Sequence, residues 1–320
     1  MSYSTTNRPL NQFQTSFLIF GLGSALALVG WLLGGTDLMV TTISSIIGLV
    51  ILVPYVSPFL VLHLHKAEAL TVVDSPSLYA LVSDLTITAD LSHQPKIYYI
   101  PSRIMNAFTV GLKNNASIAV TDGLLRHMNR RELNAILAHE VSHIKNQDMR
   151  IMAIADAMTQ LIRLMSVIGL LLLLFSFPLS LFIEFAIPWL AIILLIVLPG
   201  ISTLMKMKLS RTREFEADRT ATILTQDPHA LISALNRLEY RQWRWLTQYF
   251  SFPNNNSTLS QLSTHPETDQ RIERLKMQAT EMQHTIKPIS TFELSRLMPR
   301  HVWELNKRTL MYSKNVGEQK

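Results

Sequence analysis

The sequence contains no cysteine and few charged residues. Without cysteine the chain has neither disulfides nor thiolate metal ligands, so a bound metal would have to be held by His, Asp or Glu. Charged residues make up only 16% of the 320 positions, well below the roughly 25% of soluble domains. The mean hydropathy is +0.21. A large soluble core would not account for this balance, which favours segments that span a membrane.

Four apolar runs predict membrane-spanning helices. They cover residues 17–33, 40–62, 161–182 and 187–205, and Arg163 is the only charged residue within them. Each run is close to the length of about 20 residues that crosses a bilayer as a helix. A cleaved signal peptide is the alternative for the first run. No small-x-small cleavage site follows it, however, and the second run begins almost at once, so we predict a retained span.

The segment that begins at Asn129 predicts a capped helix with a metal-binding face. Asn129 and Glu132 have the spacing of a capping box, and apolar residues follow at helical intervals. His139 and His143 lie four residues apart and therefore on nearly one face, with Glu140 beside them. This is the pattern of a zinc hydrolase. Chance is the alternative, since three fixed residues match about once in a hundred chains of ordinary composition.

An acidic stretch, SRTREFEAD at 210–218, offers a third metal ligand. Glu214 and Asp218 lie four residues apart and share a helix face, whereas Glu216 points the other way. One carboxylate could bind the metal while the other orients a ligand histidine. The spacing does not decide which acid does which. The alternative is a solvated helix whose acids pair with its own arginines.

Three short runs predict β-strands at 96–100, 106–111 and 117–121, with a turn at 113–115 between the last two. A helix is predicted before them at 77–91. These strands would form a small sheet next to the helix that carries the HExxH motif (His139, Glu140 and His143). The sheet could accept an extended peptide at its edge, or it could merely support that helix.

Basic residues near the apolar runs predict the orientation in the membrane. Arg8, Lys66, Arg163, Lys206, Lys208, Arg211 and Arg213 would share one side, whereas the opposite loops carry only Asp37 and Glu184. Because basic loops face the cytoplasm, we predict a cytoplasmic location for the HExxH and acidic segments and for both termini. The net charge of +6 is therefore interpreted as topology and lipid contact, not nucleic-acid binding.

HEVSH at 139–143, followed across a membrane hairpin by SRTREFEAD, resembles the HtpX-type membrane zinc metallopeptidases, relatives of the CAAX prenyl proteases. MNAFTVG at 105–111, NQD ending at Asp148 and STHPETDQRIERL at 263–275 are similar to that family as well. The resemblance covers roughly residues 10–280.

The resemblance implies that His139, His143 and Glu214 bind one Zn²⁺ per chain and that Glu140 is the catalytic acid and base. A bound zinc ion would lower the pKa of its water ligand towards 7, and Glu140 would accept a proton from that water. The family pattern further implies Asp218 and Arg271 beside the ligands, and Asn106, Ala107 and Phe108 along a substrate cleft. His265 is implied near the metal as a catalytic residue, where it could close the zinc site or stabilise an oxyanion.

We therefore predict an α+β integral membrane protein in which four transmembrane helices carry a mainly helical gluzincin domain with a small β-sheet. The predicted parts are an N-terminal transmembrane hairpin at 1–65, catalytic segments at 66–160 and 206–280, a second hairpin at 161–205 and a basic amphipathic extension at 281–320.

The resemblance implies proteolytic quality control, with misfolded or damaged membrane proteins as substrates, and a place in the bilayer of a bacterial inner membrane. Other quality-control proteases are candidate partners. Two alternatives stay open. One is a processing protease for a defined peptide, for example a prenylated one, and the other is a catalytically silent membrane scaffold that retains the fold.

Overall fold

The computed structural model describes residues 8–180, 189–249 and 268–285. The helices are α1 (Arg8–Leu64), α2 (Pro76–Thr88), α3 (Asp122–His127), α4 (Arg130–Asn146), α5 (Asp148–Ser180), α6 (Trp189–Thr225), α7 (Pro228–Tyr249) and α8 (Thr268–Thr285). The strands are β1 (Glu68–Ala69), β2 (Lys96–Ile100), β3 (Ala107–Val110) and β4 (Ser117–Thr121). The described elements up to Lys276 belong to one compact unit. His265 and the predicted extension from residue 286 onward lie outside the described residues.

Three of the described helices are long and apolar enough to cross a membrane. These segments are Ile19–Val53 within α1, Asp148–Leu171 within α5, and Trp189–Thr225, which is all of α6. Many of their large apolar side chains are exposed, among them Ile51, Leu164 and Leu204, as expected of surfaces that face lipid. The count is one fewer than the four spans predicted, because residues 17–33 and 40–62 fall within the single long element α1.

Helix α1 is interrupted at Gly34 and Gly35, where the backbone reverses. Gly35 has φ 65° and ψ −152°, a conformation that is essentially restricted to glycine. A Cβ atom placed on Gly30 would lie 2.8 Å from Thr42 Oγ1, although these residues would be about 18 Å apart along a straight helix. Leu26 and Ile46 also belong to one apolar cluster. The two halves of α1 therefore pack against each other as a helical hairpin.

We expect Gly35→Ala to destabilise this hairpin by about 1–3 kcal/mol, since alanine disfavours the observed φ and ψ. No atom lies within 4 Å of the added Cβ, so the effect would come from the backbone alone. Thermal unfolding in detergent would measure it. The matched control is Gly48→Ala, which is also in open space in α1 and where alanine suits a helix better than glycine. Equal melting temperatures for the two variants would contradict the prediction.

The four strands form one mixed sheet in the order β1-β2-β4-β3. Strands β2 and β4 are parallel, while β1 and β3 pair antiparallel with their neighbours. The three predicted strands are thus confirmed, and β1 is an addition. Ile97, Ile118 and Val120 belong to the same buried core as Leu137 and Val141 of α4. The sheet therefore supports the HExxH helix and leaves β3 as an edge strand beside it.

The ends of α4 fix where the next helix begins. The predicted capping box is present, because the Asn129 side chain accepts from the Glu132 backbone N–H and the Glu132 side chain accepts from the Asn129 backbone N–H. At the other end, Gln147 adopts a left-handed conformation with φ 59°. Helix α5 starts at the very next residue, Asp148. This sharp turn brings Asp148 back towards the last turn of α4.

Candidate metal centre

Two packed helices, α4 and α6, bring together histidines and carboxylates that are far apart in the sequence. His139, Glu140 and His143 come from α4, and Glu214 and Asp218 come from α6. His139, Glu140 and Asp218 are buried, and His143 and Glu214 are largely so. Buried ionisable groups are costly unless they are paired or bind a metal. The arrangement therefore marks a candidate site rather than a solvated helix face.

His139, His143 and Glu214 offer ligand atoms that all lie within 4.8 Å of one another. The two Nε2 atoms are 3.2 Å apart. Glu214 Oε2 lies 3.4 Å from His139 Nε2, and Glu214 Oε1 lies 3.9 Å from His143 Nε2. Ligands about 2.0–2.1 Å from a tetrahedral ion are about 3.3 Å from each other. The three side chains therefore fit a single tetrahedral metal ion.

Each histidine has a carboxylate next to Nδ1, the ring nitrogen that does not face the other candidate ligands. Asp218 contacts Nδ1 of His139, and Asp148 contacts Nδ1 of His143. His139 Nδ1 lies 2.9 Å from Asp218 Oδ1, and a hydrogen bond of 3.0 Å joins His143 Nδ1 to Asp148 Oδ2. A carboxylate at Nδ1 fixes the ring orientation and directs Nε2 towards the metal position. The two acids of α6 are thereby distinguished, since Glu214 faces the Nε2 atoms and Asp218 faces Nδ1.

The sequence alone did not predict the contact between Asp148 and His143. Asp148 is fully buried, and Arg213 Nη1 donates to its Oδ1 at 3.2 Å. Helical periodicity could not place Asp148, because the left-handed Gln147 ends α4 just before it. An acid directly after an HExxH helix was the available signal, within the stretch NQD.

Arg271 of α8 links the two acids of α6. Its Nε and Nη2 donate to the two Asp218 oxygens at 2.7 and 2.6 Å, and its Nη1 lies 3.3 Å from Glu214 Oε2. Although burial opposes its charge, the pKa of Arg271 is raised by Asp218 and Glu214. Burial also lowers the pKa of His139, but the same two carboxylates outweigh it and raise that pKa to about 10. A metal binding at His139 would therefore displace a proton.

Glu140 lies beside the three candidate ligands and is held by the sheet. Thr109 Oγ1, on edge strand β3, donates a 2.8 Å hydrogen bond to Glu140 Oε2. Both residues are buried. Thr109 could not be singled out from the sequence, because nothing in the spacing indicates which strand residue faces α4. The contact fixes one oxygen of the carboxylate.

The predicted substrate-cleft residues lie on or next to β3. Ala107 and Phe108 belong to the strand, and Asn106 precedes it, with its backbone N–H donating to Thr121 Oγ1 at 2.9 Å. The Phe108 ring contacts the ring of His65 just after α1, with centroids 5.3 Å apart. These positions agree with a cleft along the edge strand, and the roles of the three residues stay predictions. The role of His265 also stays a prediction.

Comparison with known proteins identifies the family of this chain. Residues 74–279 match the model of peptidase family M48. A protein named Protease HtpX homolog from Streptococcus equi subsp. zooepidemicus (strain MGCS10565) is 35% identical over 268 residues, covering 78% of this chain and 90% of its own length. One of the same name from Pyrococcus abyssi (strain GE5 / Orsay) is 33% identical over 300 residues, covering 84% and 96%.

A crystal structure of S. mikatae Ste24p is similar with a TM-score of 0.49 and 20% sequence identity, covering 83% of this chain and 65% of that one. The family model spans well over half of the present chain, and both relatives match over most of their own length. The resemblance in the motifs is thereby confirmed: the chain belongs to peptidase family M48 and is a membrane protease.

Proposed function

We propose that the protein is a zinc-dependent endopeptidase that hydrolyses misfolded or damaged membrane proteins at the membrane surface. One Zn²⁺ per chain would be held by His139, His143 and Glu214. The observation that carries this proposal is the convergence of their ligand atoms within 4.8 Å. Two histidines and a glutamate are the donor set of many catalytic zinc sites, which keep a fourth position open.

The side chains around this centre support peptide hydrolysis. Zinc, when bound, supplies a Lewis acid and lowers the pKa of a water towards 7. Glu140 would accept the proton of the attacking water and deliver it to the departing amine. Thr109 would hold Glu140 Oε2 in place for this transfer. Asp218 and Asp148 would keep the two imidazoles in the orientation that binding needs.

Two features favour substrates at the membrane. Strand β3 lies at the sheet edge beside α4, and an extended peptide can add to such an edge through its backbone. Helix α6 continues beyond its apolar part, which ends at Met205. Glu214 lies nine residues further along the helix, a distance of about 13 Å along the helix axis. We propose that the α1 hairpin, α5 and α6 make four crossings, with the metal centre on the cytoplasmic side.

The test uses the full chain purified in detergent. We expect one zinc per chain and cleavage of casein, both lost after chelation and both restored by added zinc. Zinc without cleavage of any unfolded substrate would instead favour a processing protease for a defined peptide, such as a prenylated one. Absence of zinc after metal-replete preparation would favour a catalytically silent scaffold.

Thr109→Val should lower kcat roughly tenfold without changing the zinc content. A hydrogen bond to a charged group contributes about 1.5–3 kcal/mol, and valine keeps the shape of threonine but cannot donate. Steady-state casein cleavage and metal analysis would measure both effects. Thr109→Ser is the matched control, because it retains the hydroxyl and should keep most of the activity. If Thr109→Val and Thr109→Ser lost the same fraction of activity, packing and not the hydrogen bond would be what matters at this position.

A further inference from the structure

A cavity of about 590 Å³ lies between the end of α1, the sheet and the junction of α4 with α5. We call it the interfacial cavity. Its walls include Leu62 of α1, Tyr98 of β2, the loop at 111–115 and Met149 of α5. The volume is within the range of about 300–1,000 Å³ that is usual for ligand sites. Most of these residues have no role in the proposed peptidase reaction.

The interfacial cavity is strongly basic. Lys96, Lys113 and Arg150 line it, and its lining contains no aspartate or glutamate. Among the residues that the structure describes, none of these three side chains forms an ion pair. Tyr98 and Gln147 add hydrogen-bonding groups to the same walls. Three cations on walls that no carboxylate lines create a positive potential, and this favours an anionic occupant.

The position of the cavity indicates the source of that anion. Leu62 lies near the end of the second half of α1, and Arg150 is the third residue of α5. Leu62 is also the last residue of the apolar run at 40–62 that is predicted to span the membrane. The Leu62 wall is therefore at the level where α1 leaves the hydrocarbon layer, which is the level of lipid phosphates. Basic pockets between such helix ends bind anionic headgroups.

We propose that the interfacial cavity binds the phosphate headgroup of an anionic phospholipid. Lys96, Lys113 and Arg150 pair with the phosphate, while Leu62 and Met149 contact the glycerol and the start of the acyl chains. His143 lines the same cavity, so the bound headgroup borders the metal centre and contacts the α4–α5 junction. Headgroup binding itself requires neither metal nor hydrolysis, so it can be measured separately from the peptidase reaction.

The experiment titrates short-chain phosphatidylglycerol into the full chain in detergent and counts bound lipid by native mass spectrometry, with phosphatidylcholine as the neutral competitor. The pocket variant combines Lys96→Gln, Lys113→Gln and Arg150→Gln. The control variant combines Arg103→Gln, Arg130→Gln and Lys276→Gln, which removes the same charge from exposed residues outside the cavity. Glycerol phosphate and inorganic phosphate serve as soluble competitors. A further arm measures cleavage of peptides with and without acidic residues.

We expect wild type to prefer phosphatidylglycerol over phosphatidylcholine. The pocket variant should bind phosphatidylglycerol about 100-fold more weakly, since each cation near a membrane contributes roughly fivefold. The control variant should keep the wild-type preference. Equal losses in both variants would mean diffuse surface charge and would overturn the proposal, as would a wild type that does not discriminate between the lipids. Displacement by either soluble phosphate at the lipid's own concentration would identify a free-anion site instead. Loss of cleavage of acidic peptides alone, with lipid binding unchanged, would assign the cavity to substrate side chains.

Discussion

Replacing Glu140 with glutamine is expected to lower the rate of peptide hydrolysis by about 10²–10⁴-fold while zinc stays bound. Glutamine has nearly the shape of glutamate but cannot accept and return a proton, and a positioned acid–base group contributes rate factors of this size. Glu140 is not one of the three residues whose ligand atoms converge. The metal should therefore remain at one ion per chain. Casein cleavage and metal analysis on the same preparation would show the two effects separately.

The matched control for this variant is Glu216→Gln. Glu216 lies on α6 two residues from Glu214 but is not among the converging residues. The same loss of charge there should leave both zinc and cleavage close to wild type. Full activity in Glu140→Gln would contradict the proposed role of Glu140. Loss of zinc in that variant would mean that Glu140 also holds the metal.

Arg271→Met is expected to destabilise the metal-free protein by about 3–5 kcal/mol, the usual effect of removing one partner of a buried ion pair. Arg271 is buried and contacts both oxygens of Asp218 as well as Glu214. Methionine would fill much of the space but leave two buried carboxylates facing the single positive charge of His139. The melting temperature in detergent should fall by roughly 6–20 °C. Bound zinc should reduce this loss of stability, because it supplies positive charge beside Glu214.

Arg274→Met provides the comparison on the same helix. Its guanidinium lies 3.7 Å from the centre of the Phe215 ring, and the side chain is exposed. An exposed cation–π contact contributes about 0.5–1 kcal/mol, so the melting temperature should fall by only roughly 1–4 °C. If the two variants melted alike, the ion pairs of Arg271 would not be stabilising the site more than a surface contact does.

Much of the local structure could be predicted because short-range signals determine it. The capping box at Asn129 and Glu132 involves residues three positions apart, and the histidines of HExxH share a face through helical geometry alone. Strands β2, β3 and β4 were recognisable from their own β-prone runs. Strand β1 was not, because its two residues are extended only through pairing with Tyr98 and Tyr99.

The sequence by itself determined the face of α4 that carries His139 and His143, three of the four strands and the apolar segments, since each depends on residues within a few positions of one another. The tertiary structure alone decided which acid of α6 faces Nε2, and it brought Asp148, Thr109 and Arg271 to the site. These contacts join residues from different elements. Their geometry depends on how α4 packs against α6 and the sheet, and on the reversals at Gly35 and Gln147. No local periodicity specifies a distance between two helices, so only packing could assemble the centre.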